Sequence, residues 1–236
     1  MVTTDLPPQA DISWPGAVRI IRSLYPPIDL FEDIADPADW PLLIAAEQKT
    51  NPRLSVSIGN LDLVPPERRV SGPGASYLMA PFVHASTDRP TRYSDGTFGL
   101  LYAGDRFEVA LMETIYHHER AMAASGEEPG WTSQFREIAL EVQATAYDLR
   151  GDDRWAACLD SDSYEASQAM GRQIRAADGE GIVYPSQRFL GGDAIALFFP
   201  DLARRPTQGR HLDYYWDGGR VAYVRDAGAN EVYEIA

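Results

Sequence analysis

The chain has 236 residues, 44% of them apolar and 24% charged, enough to bury a core without disulfides and unlike a disordered or collagenous composition. Acidic residues outnumber basic ones 35 to 21, and the resulting net charge of −14 disfavours nucleic acid, whose binders need a basic surface. The one cysteine, Cys158, excludes an intrachain disulfide framework and any zinc site of several thiolates.

Met1 to Ala10 is largely polar and lacks the apolar core of a signal peptide, and no stretch approaches the ~20 apolar residues of a membrane span. The expected location is the cytoplasm, with no membrane partner. The first expected element is a short strand over Ala17 to Ile21, after the turn signal Trp14-Pro15-Gly16, with Arg19 and Arg22 on it or just beyond it. Pro26 and Pro27 end it. Asp36-Pro37 has the form of a helix start, an N-cap followed by proline at the first helical position, for a helix to about Thr50. From Asn51 to Gly74 the chain is rich in Pro, Gly and Arg and is expected to be a long irregular connection.

A strand is expected over Phe98 to Ala103. The clearest helix follows, with Asp105 as cap, Glu108 in a capping-box relation, and a C-terminal stop at Gly126. Beyond it lie an alternating strand over Ile138 to Leu149, a helix over about Ser163 to Asp178, and short apolar strands at Gly181 to Tyr184 and Ala194 to Phe199. Asp217-Gly218-Gly219-Arg220, between Tyr214 to Trp216 and Val221 to Val224, is a hairpin signal. No repeat or linker divides the chain, so the expectation is one α+β domain over 1–236, with its core at about 17–200 and a strand-rich extension at 201–236.

Glu113 stands out among the polar residues. Its helix carries apolar side chains on nearly every side, and a carboxylate there is costly unless it is paired or faces a ligand cleft. A structural ion pair with an arginine is the competing explanation. Tyr102 ends the preceding strand, near the start of the helix, where a plain core role is also open to it. Arg92 lies in the turn Thr91-Arg92-Tyr93-Ser94-Asp95-Gly96, and the run from Ser71 to Ser76 could approach a ligand through its amides. Ser186, in Tyr184-Pro185-Ser186-Gln187-Arg188, lacks the flanking glycines of a hydrolase nucleophile elbow. His117 and His118 are adjacent, the wrong helical spacing for joint metal ligation, and with His84 and His211 they predict no metal site.

In this order the pieces resemble the RES-domain family, named for an Arg, a Glu and a Ser. The family's early strand arginine corresponds to Arg19, with Arg22 as the alternative, and its serine-glycine loop to Ser71-Gly72-Pro73-Gly74-Ala75. Arg92-Tyr93 matches an Arg-aromatic turn, Leu101-Tyr102-Ala103 a strand end, Ala110-Leu111-Met112-Glu113 the Ala-x-x-Glu element, and Ser186 the family serine. The segment between Arg19 and Arg92 is longer here than in compact members, and the turn reads Arg-Tyr-Ser-Asp-Gly in place of Arg-aromatic-Asn-Pro.

The resemblance implies a fold similar to ADP-ribosyltransferases, with mixed and antiparallel sheets forming a split core flanked by helices. It implies the toxin half of a bacterial toxin-antitoxin pair, with an antitoxin covering the cleft and NAD⁺ as a consumed substrate. Glu113 would stabilise the oxocarbenium ion formed as nicotinamide departs, and Tyr102 would stack on the nicotinamide. Arg19 or Arg22, with Arg92 and Tyr93, would hold the dinucleotide, and Ser186 would position Glu113 or the ligand. The insertion from Pro26 to Arg89 offers a docking surface for a target protein, which favours ADP-ribosyl transfer over hydrolysis or phosphorolysis. A non-catalytic module that binds a partner through Tyr214, Tyr215, Trp216 and Tyr223 is the alternative from another class, and a two-carboxylate glycosidase is a weaker third.

Overall fold

A computed structural model describes residues 5–23, Trp40 and residues 59–235. Apart from Trp40, which is helical and buried, the helix expected at 36–50 lies outside the described residues, as do the prolines expected to stop the first strand. Strand β1 spans Gln9–Arg22, well beyond the five residues expected. Trp14-Pro15-Gly16 is not a turn before it but an irregularity within it. Trp14 pairs with Val142 and Ala17 with Leu140, so Pro15 and Gly16 bulge out opposite Glu141. A bulge suits a proline, which has no N–H to give to the ladder.

The connection after residue 59 contains two 3-10 turns, Leu61–Leu63 and Pro66–Arg68, and leads into helix α1, Ala75–Val83, which the sequence did not suggest. Gly74 enters that helix at φ 77°, and a Cβ placed on it would stand 2.6 Å from Pro206 Cγ. The glycines at 71–74 thus serve a helix start packed against a strand.

Strand β2, Leu101–Gly104, is followed by helix α2, Phe107–Ser125, which Gly126 ends in the left-handed conformation at φ 66° as expected. The expected capping box does not form. Arg106 takes the N-cap position in extended conformation, and Asp105 turns its carboxylate to that arginine, 2.6 Å from Nη2. The remaining elements are β3 (Thr132–Asp148), α3 (Glu165–Ala176), β4 (Gly181–Pro185), β5 (Asp193–Leu197), β6 (Ala203–Trp216), β7 (Val221–Asp226) and β8 (Glu231–Glu234). The hairpin at 217–220 is present: Trp216 pairs with Val221, and Asp217 accepts from the amides of Gly219 and Arg220. No helix is long and apolar enough to cross a membrane among the described residues.

The architecture is α+β, built on one eight-stranded mixed sheet in the order β1-β2-β5-β4-β3-β6-β7-β8. Among the described strands only β3 and β4 run parallel. Because β1 also pairs with β3, the strands β1, β2, β5, β4 and β3 close a circuit, and β6 to β8 extend from β3 as a flap. The circuit has a weak seam. Strands β1 and β2 share the single pair Val18 with Gly104, whereas β1 and β3 pair along most of their length.

Helix α2 lies over this seam and is held from both sides. Leu111, Ile115, His118 and Met122 recur at helical spacing and are buried; the first two join Phe135, Leu212, Tyr214, Val221 and Val224 in a core under the flap. At the other contact Gly104 lets the helix approach closely, since a Cβ there would sit 2.9 Å from the Ala110 amide nitrogen. What remains is a polar face bearing Glu113, Thr114, His117 and Arg120, turned to the seam.

Candidate functional site

A cleft of about 630 Å³ opens where β1 and β2 part. Strand β1 contributes Val18, Arg19 and Ile20; strand β2 contributes Tyr102, Ala103 and Gly104; helix α2 closes the top with Glu113, Thr114, His117 and Arg120. Thr91, Arg92, Tyr164 and Tyr184 complete the walls.

Glu113 is half-buried and makes no ion pair with an arginine among the described residues. Its Oε1 accepts a hydrogen bond from Ser186 Oγ at 2.8 Å. The serine hydroxyl is fixed in direction. Its oxygen accepts from the amides of Arg188 and Phe189, both at 3.1 Å, so the hydroxyl proton points at the carboxylate. Ser186 directly follows β4, and its amide donates to Gly192 O at 2.9 Å, closing the 186–192 turn under the helix. The sequence pattern that argued against a nucleophile elbow agrees with this geometry, in which the oxygen's lone pairs are already engaged.

Arg19 reaches across the seam and donates from Nη1 to the Tyr102 carbonyl at 3.0 Å. It fills a ladder position that the diverging strands leave open. Burial lowers its pKa to about 10, with Tyr102 opposing, so it stays charged at neutral pH. Arg22 is exposed at the end of β1 and does not line the cleft.

Tyr102 holds the Arg92 turn. Its phenol donates to Thr91 Oγ1 at 2.9 Å and accepts from the Tyr93 amide at 3.1 Å. Burial pushes its pKa up to about 12 against those two hydrogen bonds, so it is a neutral phenol at any working pH. Arg92 is buried, donates to Asp160 O at 2.6 Å, and lies 5.0 Å above the Tyr164 ring. Tyr93 turns the other way. It is fully buried, edge-on to Tyr184 at 5.1 Å, and absent from the cleft wall.

Helix α3 splints this turn. Ser167 Oγ donates to Arg92 O at 2.5 Å, Gln168 Nε2 donates to Thr91 O at 2.9 Å, and a Cβ on Gly171 would collide with Tyr93 O at 1.9 Å.

The structure thus brings Glu113, Ser186, Tyr102, Arg92 and Arg19 together and leaves Arg22, Tyr93 and the 71–76 run outside the cleft. It also adds residues that sequence reasoning passed over. Tyr164 and Tyr184 are aromatic walls, and Arg120 and His117 continue the Glu113 face at helical spacing, a signal that periodicity could have given. Arg188 lies 3.4 Å above the Tyr116 ring, on the turn that carries Ser186.

His117 is held below its ordinary pKa by desolvation, with Glu113 opposing and Arg188, Arg92 and Arg120 reinforcing it. His117 thus feels one carboxylate and three guanidinium groups. Among the described residues no group of three or more His, Cys, Asp or Glu is arranged to hold a metal. The aromatics proposed as a partner surface divide: Tyr214 and Trp216 are core, while Tyr215 and Tyr223 stack at 4.8 Å on the outer face of the flap.

A fixed carboxylate opposite a neutral aromatic wall, bounded by guanidinium groups, can stabilise a cation forming on a ligand that also carries negative charge. The RES domain family model matches residues 66–217. The uncharacterized protein y4oC of Sinorhizobium fredii is 25% identical over 218 residues, covering 91% of this chain and 89% of that one. Among solved structures, a chain from the M. tuberculosis MbcT-MbcA toxin-antitoxin complex is similar at 15% identity and a TM-score of 0.40, covering 53% of this chain and 72% of that one.

Proposed function

The chain belongs to the RES-domain family, and from that premise we propose that it is the NAD⁺-consuming toxin of a toxin-antitoxin pair, acting by cleavage of the nicotinamide-ribose bond. The observation that carries the reading is Glu113 fixed by Ser186 at 2.8 Å inside a cleft that also presents Arg19 and Arg92. As the glycosidic bond breaks, its electron pair leaves with nicotinamide, which departs neutral, and positive charge develops at the ribose. Ser186 occupies Glu113 Oε1, so Oε2 is available to accept from a ribose hydroxyl and to oppose that charge. Both interactions strengthen in the transition state, which is the requirement for rate enhancement. Arg19 and Arg92 grip the pyrophosphate from its nicotinamide side, and Tyr102 with Tyr184 supplies the surface on which the nicotinamide ring rests.

The new bond at the ribose forms from an acceptor that loses its proton. A protein side chain is the preferred acceptor, on the strength of the long insertion between Arg19 and Arg92; water or phosphate is the second choice. An antitoxin would silence either by covering the cleft. Purified protein given NAD⁺ alone, then NAD⁺ with a cell lysate, separates them. Labelled protein appearing only with lysate supports transfer, whereas free ADP-ribose or its phosphorylated form from NAD⁺ alone overturns transfer and keeps bond cleavage. Intact NAD⁺ in both tubes overturns the enzyme reading, and growth arrest equal for wild type and Glu113→Ala favours a binding module.

A further inference from the structure

A chain with a net charge of −14 has more carboxylates than its arginines need, and nine of the described arginines are ion-paired to one. None of the nine lines the cleft. The three arginines that line the cleft, Arg19, Arg92 and Arg120, and Arg188 on the adjoining Ser186 turn, are held otherwise. The Arg19 and Arg92 guanidiniums donate only to backbone carbonyls, Arg120 donates from Nη1 to the Tyr116 phenol at 3.0 Å, and the Arg188 guanidinium has no hydrogen-bond acceptor among the described residues. Arg188 Nε and Nη2 are buried without a partner. Arg69 and Arg89, away from the cleft, also donate to backbone carbonyls, so it is the gathering of these four guanidiniums around Glu113 and Tyr116 that suits an anionic ligand.

These four arginines fall into two pairs. Arg19 and Arg92 both adjoin Tyr102, the first at its carbonyl and the second in the turn that its phenol holds. Arg120 and Arg188 share Tyr116, one through its hydroxyl and the other over its ring. Glu113, His117 and Arg120 follow one another on a single face of α2, and at 1.5 Å per residue Arg120 stands ~10 Å along the axis from Glu113. A nicotinamide ribose placed at Glu113 therefore leaves the distal half of a dinucleotide opposite Arg120.

We propose that Arg120 and Arg188, organised by Tyr116, form a second anion subsite at the outer end of the cleft that binds the adenosine-side phosphate and selects a full dinucleotide over a mononucleotide. The inference rests on reading the cleft as an NAD⁺ site.

Calorimetric titration with AMP and, separately, with nicotinamide mononucleotide tests it, alongside NAD⁺ consumption by the wild type. Each variant removes one charge-assisted hydrogen bond to the phosphate, so AMP affinity is expected to fall about tenfold in Arg120→Ala and in Arg188→Met. Methionine at 188 keeps the cover over Tyr116 and removes the donors. Arg19→Met is expected to weaken the mononucleotide instead. AMP affinity equal in wild type and both variants, or no AMP binding by a wild type that consumes NAD⁺, overturns the outer subsite alone. A wild type that neither consumes NAD⁺ nor binds either half overturns the cleft reading along with it.

Discussion

The Glu113–Ser186 pair places a short, half-buried hydrogen bond on a carboxylate that is not ion-paired to an arginine, so its value lies in orientation more than in stability. Removing the charge with Glu113→Gln keeps the hydrogen bond to Ser186 within reach and takes away the field at the ribose. A loss on the order of 100 to 1,000-fold in NAD⁺ turnover is expected, with the melting temperature little changed. Ser186→Ala acts differently. It frees the carboxylate and also orphans the Arg188 and Phe189 amides, so it should slow turnover and cost about 1–3 kcal/mol of stability, measurable by urea denaturation. Tyr102 separates ring from hydroxyl: Tyr102→Phe keeps the aromatic wall but cuts the tether to Thr91 and Tyr93. Its expected signature is a raised KM with kcat nearly preserved, whereas Tyr102→Ala should lower both kcat and kcat/KM, and steady-state kinetics on the two variants distinguishes them.

Among the elements, α2 and α3 do the positioning, and they show where the sequence was legible. The long helical run of α2, apolar on nearly every side, and its Gly126 stop were readable because both are local. The paired ends of the flap strands, Tyr214 to Trp216 and Val221 to Val224, were readable for the same reason, through the Asp217 turn, whereas the start of β6 at Ala203 was not. Strand β1 was misjudged because Pro15 and Gly16 signal a turn locally, and only pairing with β3 makes them a bulge. Tyr93 and Arg22 were placed in the site because sequence adjacency to Arg92 and Arg19 says nothing of which way a side chain turns. Arg188 was invisible for a related reason, since its stacking partner lies 72 residues earlier in the chain. The role of α3 as a splint likewise depends on a non-local contact, and Gly171 is its test. A methyl group there would meet the Tyr93 carbonyl, a backbone atom that cannot rotate away. Overpacking of this kind costs typically about 1–3 kcal/mol, and Gly171→Ala should therefore lower the melting temperature by several degrees and loosen the Arg92 turn. Retained stability together with unchanged NAD⁺ affinity would refute the splint.

At the scale of the whole molecule, the flap of β6 to β8 and the closed circuit meet around α2, so the stability of the second core governs whether the cleft exists at all. His118 sits in that junction. It is buried, edge-on to Phe135 at 5.1 Å and to Tyr214 at 5.9 Å, and its Nε2 has no hydrogen-bond partner among the described residues. Desolvation, with the charge of Arg22 adding to it, lowers its pKa from 6.5 to about 4. For a base whose folded pKa is depressed, the unfolded chain takes up the proton first. The stabilising effect of the neutral ring is thus complete above pH 6.5 and is lost as pH falls from 6.5 towards 4. The shift corresponds to a loss on the order of 3 kcal/mol across that window. Carboxylates of ordinary pKa contribute mainly at its acidic end, so the upper part, from pH 6.5 to about 5, reports the histidines; His117, also lowered by desolvation, contributes with the same sign, and substitution at 118 separates the two. Replacing the ring with phenylalanine preserves the edge contacts and removes the titration. Chemical denaturation at pH 7 and pH 5 should show a clear acid-side loss in the wild type and a much flatter profile in His118→Phe. Equal slopes would mean that the junction tolerates a charged imidazole and that the flap is not packed as tightly against α2 as the burial of Tyr214 and Phe135 requires.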